Sequence, residues 1–327
     1  MIVSKVSVII PNYNAERYIE LCLESIKKNK SELEIIIIDD GSIDGSRKKL
    51  SKLSKEDSRI VVEYQANMNA SVARNRGMDL ATGQYIIFVD ADDILEAGAI
   101  DLMVESMEEY QVDLVIGNHI LVDKSGKLIN KSDDFIEKSY IEKNPMNLVD
   151  KVPNPPNKLY KLEIIRRNGI SWGNVRIGQD INFYLKYLLF CKNVALLSNV
   201  VYSWRILSSS MSHKPSLKIL DIVNSFKNIR NYYILMNREK LYVKYIQCIE
   251  FEHYNRQMEK QKYFQDRAQR RFIVSYFSYF LKRIMSQGIK KSVNFPNYKK
   301  RYFTCKIKLT CKSLYVSKLY SRMMKNR

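Results

Sequence analysis

Short apolar runs rich in β-branched residues, each closed by a polar cluster, alternate with stretches whose apolar residues recur at helical spacing. That alternation limits what the 327-residue chain can fold into more than any other feature. Val6-Ser7-Val8-Ile9-Ile10 stops at Pro11-Asn12-Tyr13-Asn14, and Tyr18, Leu21, Cys22 and Ile26 follow at helical spacing, which predicts strand, loop and helix. Glu34-Ile35-Ile36-Ile37-Ile38 is too continuous for a strand with one wet face. It predicts a central strand, ended by Asp39-Asp40-Gly41-Ser42 and followed by a basic helix from about Ser46. Ile60-Val61-Val62-Glu63-Tyr64 predicts a third strand and Ala70 to Leu80 a helix, and Tyr85-Ile86-Ile87-Phe88-Val89 predicts a fourth strand that stops at Asp90-Ala91-Asp92-Asp93. Asp113 to Asn118 reads as a further strand, and Val152 to Asn157 as an irregular connection before a helix near Lys161. The expectation is an α/β fold, a mostly parallel sheet flanked by helices, with ligands at the carboxyl ends of the strands where the polar clusters fall.

Charge divides the chain. Of the formal net charge of +19, residues 216–327 carry 26 Lys and Arg against 6 Asp and Glu, which leaves positions 1–215 nearly neutral. The pattern after Pro215 is basic, Tyr-rich and helical, so a domain of residues 1–215 and a basic, aromatic-rich helical region of residues 216–327 are expected. Five scattered cysteines without a CxxC pair suggest neither a disulfide framework nor a zinc site, and fit a reducing cytoplasm. No apolar run approaches the ~18 residues that span a bilayer, and the N-terminus lacks the form of a secretion signal.

Three carboxylates at the end of one apolar strand, Asp90, Asp92 and Asp93, repel one another unless a cation or donated hydrogen bonds offset the cost. A divalent metal with oxygen ligands, Mn²⁺ or Mg²⁺, is one remedy, and a solvated turn with capping aspartates is the other. Asp40 reads either as part of an Asx-type turn or as an acceptor for an imide N–H or a ribose hydroxyl, and Arg74 as a surface cation or a phosphate clamp. No GxGxxG and no GxxxxGK[ST] occurs, which removes the usual dinucleotide and P-loop readings of this alternation.

Val8-Ile9-Ile10-Pro11-Asn12-Tyr13-Asn14, Asp39-Asp40-Gly41-Ser42, Ala73-Arg74-Asn75 and Asp90-Ala91-Asp92-Asp93 stand in the order typical of family-two glycosyltransferases, which the chain resembles over roughly residues 4–213. The likeness continues through Asn157-Lys158-Leu159-Tyr160, Gly178-Gln179-Asp180, and Tyr202-Ser203-Trp204-Arg205 with Ser210-Met211-Ser212. It implies a GT-A fold with a nucleotide-binding half of about residues 1–117 and an acceptor half of about 118–215. By position it implies that Pro11, Tyr13, Asp40, Asn67 and Arg74 line the nucleotide site, with Asp40 facing the base and Asp90 the ribose. Asp92 would hold the metal and Asp180 would be the catalytic base of an inverting transfer from a nucleotide-sugar, UDP-linked by preference. His213 is a candidate further metal ligand, or else a solvated loop residue. Gln179 stands where glutamate is usual and Asn69 where glycine is frequent. A non-catalytic nucleotide-sugar-binding scaffold is the competing reading, which Gln179 favours and the retained Asp92 and Asp180 oppose.

The basic region contains a helix-length apolar stretch, Phe272 to Leu281, flanked by Arg267, Arg270, Arg271, Lys282 and Arg283. This pattern suits the headgroup layer of an anionic membrane, and therefore a protein held peripherally on the inner face of the cell membrane, where a lipid-linked glycan acceptor would be reached. Capsule or exopolysaccharide assembly is the expected setting. An ordinary helical domain with a basic exterior is the plain alternative; a nucleic-acid surface is a third reading that no recognised motif supports.

Overall fold

The computed structural model describes residues 5–151, 153, 155–207 and 216–286. The chain forms two compact units, Met1–His213 and Lys214–Arg327.

In the first unit, strands β1 (Val6–Asn12), β2 (Leu33–Asp40), β3 (Ile60–Gln65) and β4 (Tyr85–Phe88) lie parallel in the order β3-β2-β1-β4. Helices α1 (Ile19–Ile26), α2 (Ser46–Glu56) and α3 (Ala70–Leu80) supply the crossovers. The continuous run Ile35 to Ile38 is buried on both sides because helices cover both faces. Val8, Ile10, Ile35, Ile37 and Ile87 share a core with Cys22, Leu23 and Ile26 of α1. On the opposite face α3 comes so close that a Cβ on Gly77 would stand 2.5 Å from the side chain of Ile9. Register pairs Asn12 with Asp39, Asp40 with Gln65 and Ile9 with Phe88, so the polar ends of all four strands meet at one edge of the sheet.

The sheet continues through β5 (Ile94–Leu95), β6 (Leu114–Val122), β7 (Leu128–Lys131), β8 (Tyr140–Glu142), β9 (Lys158–Lys161) and β10 (Val194–Arg205), with α4 (Ala99–Glu109), α5 (Leu162–Arg167) and α6 (Gln179–Leu188) between them. The full order is β3-β2-β1-β4-β9-β6-β10-β5, with β7 beside β6 and β8 beside β10. Strand β9 runs antiparallel to β4 and β6, and β5, β7 and β8 are antiparallel to their neighbours, so the sheet is parallel through its first four strands and mixed beyond them. Strand β9 follows directly on the short helical turn Pro155–Asn157, and its Leu159 and Tyr160 are fully buried between β4 and β6. The irregular connection expected at 152–157 therefore runs straight into a central strand.

The second unit is helical, with Ile222–Leu235, Gln247–Glu259 and Arg267–Ser286 as its longer helices. Helix Arg267–Ser286 buries Ile273, Phe277, Leu281 and Ile284, a stripe at helical spacing, and Tyr254 of the neighbouring helix meets Phe277 and Phe280 at ring separations of 6.0 and 5.9 Å. Much of the apolar stretch that the sequence offered to a membrane is thus spent on this unit's own core, which leaves Phe272 and Tyr279 exposed. No helix among the described residues is long and apolar enough to cross a membrane.

Candidate active site

The polar ends of β1 and β2 form a clamp. Asn12 donates from Nδ2 to Asp39 Oδ2 (2.9 Å), and Asp39 Oδ1 accepts from the backbone of Ser42 (3.1 Å) and from Arg47 Nε (2.8 Å). Burial alone would raise the pKa of Asp39; the bonds from Ser42, Arg47 and Asn12 outweigh it and hold the carboxylate below its ordinary range. Gly41 has φ +78°, and a Cβ there would lie 2.9 Å from the backbone nitrogen of Asn67, so the turn accepts only glycine without strain.

Asp40 is 4% exposed, and its carboxylate accepts from Gln65 Nε2 (2.7 Å), Met68 N (2.8 Å) and Asn69 N (2.9 Å). The residue expected to face the donor base is in the first place the anchor of the loop 65–69. That loop leaves Asn67 exposed beside Gly41, while at the carboxyl end of β1 Pro11 is half-buried and Tyr13, just beyond it, is exposed. Asn69 has φ 92°, which explains why glycine is frequent at this position, and its side chain caps α3 by accepting from Ser71 N (2.9 Å) and Val72 N (3.3 Å).

The three aspartates after β4 take three different environments. Asp90 Oδ1 receives Arg74 Nη2 at 2.7 Å. Asp93 is buried, with Oδ2 accepting from Tyr202 Oη (2.5 Å) and Oδ1 from the backbone of Arg205 (2.7 Å). Asp92 makes no ion pair among the described residues, and burial together with the neighbouring Asp90 pushes it up to about 6.

Arg74 joins the two halves of the site. Its guanidinium, 6% exposed as a residue, also approaches Asp180 Oδ1 (3.9 Å) and Gln179 Oε1 (3.5 Å) at the first turn of α6. It stacks on Trp172 at 4.6 Å, and Trp172 in turn lies flat against Phe183, with ring centroids 4.6 Å apart and planes 7° apart. Asn75 holds the Trp172 backbone through two bonds, Nδ2 to the carbonyl (3.1 Å) and Oδ1 from the N–H (2.8 Å). Helix α3, the turn after β4 and the start of α6 therefore converge on one buried cation. Arg74 is thus no surface cation: it bridges the carboxylates of Asp90 and Asp180.

Residues 7–169 match the sequence model of glycosyl transferase family 2. The chain belongs to that family. Glycosyltransferase GlyA of Streptococcus pneumoniae serotype 4 is 30% identical over 64% of the chain and 31% of its own length. The poly(ribitol-phosphate) beta-glucosyltransferase of Bacillus spizizenii is 30% identical over 62% of the chain and 32% of its own length, so the chain spans about a third of these relatives. Crystal structures of S. aureus TarS share the fold: the complex with UDP superposes with a TM-score of 0.64 at 20% identity, covering 84% of this chain and 80% of that one. The chain therefore has a GT-A-like mixed sheet flanked by helices, with a helical C-terminal region.

At the start of α6, burial raises the pKa of Asp180; Arg74 opposes this, Asp90 adds to it and Lys158 pulls it down. Some 42% of its side-chain surface stays open to solvent, so the carboxylate is hemmed in by protein yet reachable. Lys158 on β9 is fully buried, donates to Asn157 Oδ1 (2.8 Å), and is pushed down to about 7 by burial. Neither Lys158 nor Trp172 was legible as a group acting on the site; for Lys158 the available signal was its place in the segment Asn157-Lys158-Leu159-Tyr160. His213 lies outside the described residues. Among the described residues no group of three or more His, Cys, Asp and Glu is arranged to hold a metal. Asp92, a half-buried carboxylate that makes no ion pair among the described residues although Arg205 lies near enough to lower its pKa, has the oxygen chemistry to hold a divalent ion that would take its remaining ligands from diphosphate and water.

Proposed function

We propose that the chain transfers a sugar from a nucleoside diphosphate, a UDP-sugar by preference, to a hydroxyl of a glycan acceptor, with inversion, in the synthesis of a bacterial surface polysaccharide such as a capsule or exopolysaccharide. The observation that carries this reading is Arg74, at 2.7 Å from Asp90 and 3.9 Å from Asp180. It joins the acidic turn assigned to the donor to the carboxylate assigned to the acceptor. The TarS complexes with UDP and UDP-GlcNAc support the choice of donor.

In this reading Asp90 accepts the ribose hydroxyls while Arg74 fixes its orientation. Asp180 takes the proton of the acceptor hydroxyl as that oxygen attacks the anomeric carbon, and its raised pKa suits a base that must hold a proton. Asp92 would hold Mn²⁺ or Mg²⁺, and such an ion would supply charge neutralisation for a departing diphosphate. One base and one displacement suffice for inversion. Gln179, within reach of Arg74, leaves Asp180 without a second negative neighbour on its own helix turn.

A panel of nucleotide-sugars assayed with Mn²⁺ or Mg²⁺ and glycan acceptors tests the proposal. Transfer that disappears in Asp180→Asn while UDP still binds supports it. Tight nucleotide binding with no turnover on any donor would replace it by the scaffold reading. The acceptor is proposed to be lipid-linked, reached at the cytoplasmic face of an anionic membrane through the second unit. The support is the basic surplus of residues 216–327 and the exposed Phe272 and Tyr279 beside Arg271, Lys282 and Arg283.

A further inference from the structure

The three carboxylates after β4 are sorted by the last residues of β10. Tyr202 and Arg205, 2% and 3% exposed, reach the acidic turn at four points. Tyr202 Oη donates to Asp93 Oδ2 (2.5 Å) and accepts the backbone N–H of Asp90 (3.3 Å). The Arg205 backbone N–H donates to Asp93 Oδ1 (2.7 Å), and its Nε donates to the carbonyl of Asp92 (2.9 Å). Arg205 is itself held, with Nη1 on the carbonyl of Lys124 (2.8 Å) and its guanidinium 5.0 Å over the ring of Tyr18. Both oxygens of Asp93 are thus bonded by buried donors of the protein, and the backbone on each side of Ala91 is pinned to the same strand.

We propose that Tyr202 and Arg205 are positioning residues for the cation-binding carboxylate, acting through Asp93 and the backbone of the turn. Asp93 is the anchor that they grip, and Asp92 is the carboxylate left for the ion. A turn carrying three adjacent or nearly adjacent acids resists holding one of them toward a ligand, because repulsion drives them apart. Neutral donors on Asp93, together with Arg74 on Asp90 and the Arg205 guanidinium on the Asp92 carbonyl, remove that freedom and leave the Asp92 carboxylate as the one in the turn without an ion pair or an anchoring bond from β10. Outer groups that orient a ligand in this way typically change metal affinity by about 10–100-fold when removed. The family likeness distinguishes Asp90 and Asp92 by position, but nothing in the sequence shows that Tyr202 and Arg205 grip Asp93.

This inference rests on the metal-assisted reading above, and the test separates the two. Mn²⁺ binding to the full chain in the presence of UDP is followed by the loss of the free-ion electron paramagnetic resonance signal, without any turnover. Tyr202→Phe, which removes only the hydroxyl, is expected to weaken Mn²⁺ about tenfold or more while UDP alone binds as before. Arg205→Lys keeps the charge but loses the Nε donor to the Asp92 carbonyl, and is expected to weaken it as well. Ser203→Ala, in the same strand as Tyr202 and Arg205, removes the bond from Ser203 Oγ to Glu96 and leaves the bonds to the acidic turn in place, and is expected to bind Mn²⁺ as the parent does. Parental affinity in Tyr202→Phe and Arg205→Lys overturns the positioning role and leaves the metal reading standing. Equal losses in all three variants also overturn it, because they mark general loosening of β10. A parent that binds no Mn²⁺ with UDP overturns both.

Discussion

Asp180 carries the sharpest prediction at the scale of single residues. Its Asn variant should lose on the order of 10²–10⁴-fold in kcat, the usual worth of a general base, with UDP affinity kept, as initial rates and equilibrium binding will show. Because burial raises its pKa, the carboxyl stays protonated into a range where an exposed aspartate has already ionised. kcat/KM should therefore fall on the acid side and rise to a plateau as pH climbs through that pKa. Lys158 is charged below about 7 and favours the ionised base, so Lys158→Met should move the acid limb of the pH profile to higher pH; a shift to lower pH would contradict the assignment. Gly41→Ala, forced into a left-handed conformation and against the Asn67 backbone, should cost about 1–3 kcal/mol in urea unfolding and weaken nucleotide binding.

At the scale of elements, the loop between α5 and α6 is held to α3 by Trp172, which stands between Arg74 and Phe183. Trp172→Ala should cost about 3–5 kcal/mol of stability, read from denaturant unfolding of the chain, and should lower turnover further by freeing Arg74. The four parallel strands and the helices after them were legible because each is a local run with its own period, bounded by Pro, Gly, Asn or Asp. Strand β9 was not, since only Leu159 and Tyr160 between two lysines signal it and its place is granted by the gap between β4 and β6. Strand β10 is interrupted by Ser198-Asn199, and its register shifts between Leu196 and Val200 and again between Val200 and Tyr202, so no clean alternation marks it.

For the whole molecule, the basic surplus of residues 216–327 predicts that the chain partitions onto vesicles rich in anionic lipid and comes off as salt rises. Replacing Phe272 and Tyr279 by Ser should weaken that binding, and replacing Lys282 and Arg283 by Gln should cost about 1 kcal/mol for each charge, both measured by vesicle co-sedimentation. A chain that ignores such vesicles at low salt removes the membrane proposal without touching the chemistry of the first unit.

The first four strands with their helices, the edge at which their polar ends gather and the family likeness follow from the sequence, because periodicity and turn chemistry are properties of a short segment. The family likeness names Asp92 for a metal, but that Asp93 is anchored by Tyr202 and Arg205 and Asp90 is bridged by Arg74 emerges only once the chain is folded. The environment of a charge is set by groups far away along the chain that share its low-dielectric surroundings, here Arg74, Tyr202 and Arg205, and no local pattern around Asp90, Asp92 and Asp93 names them.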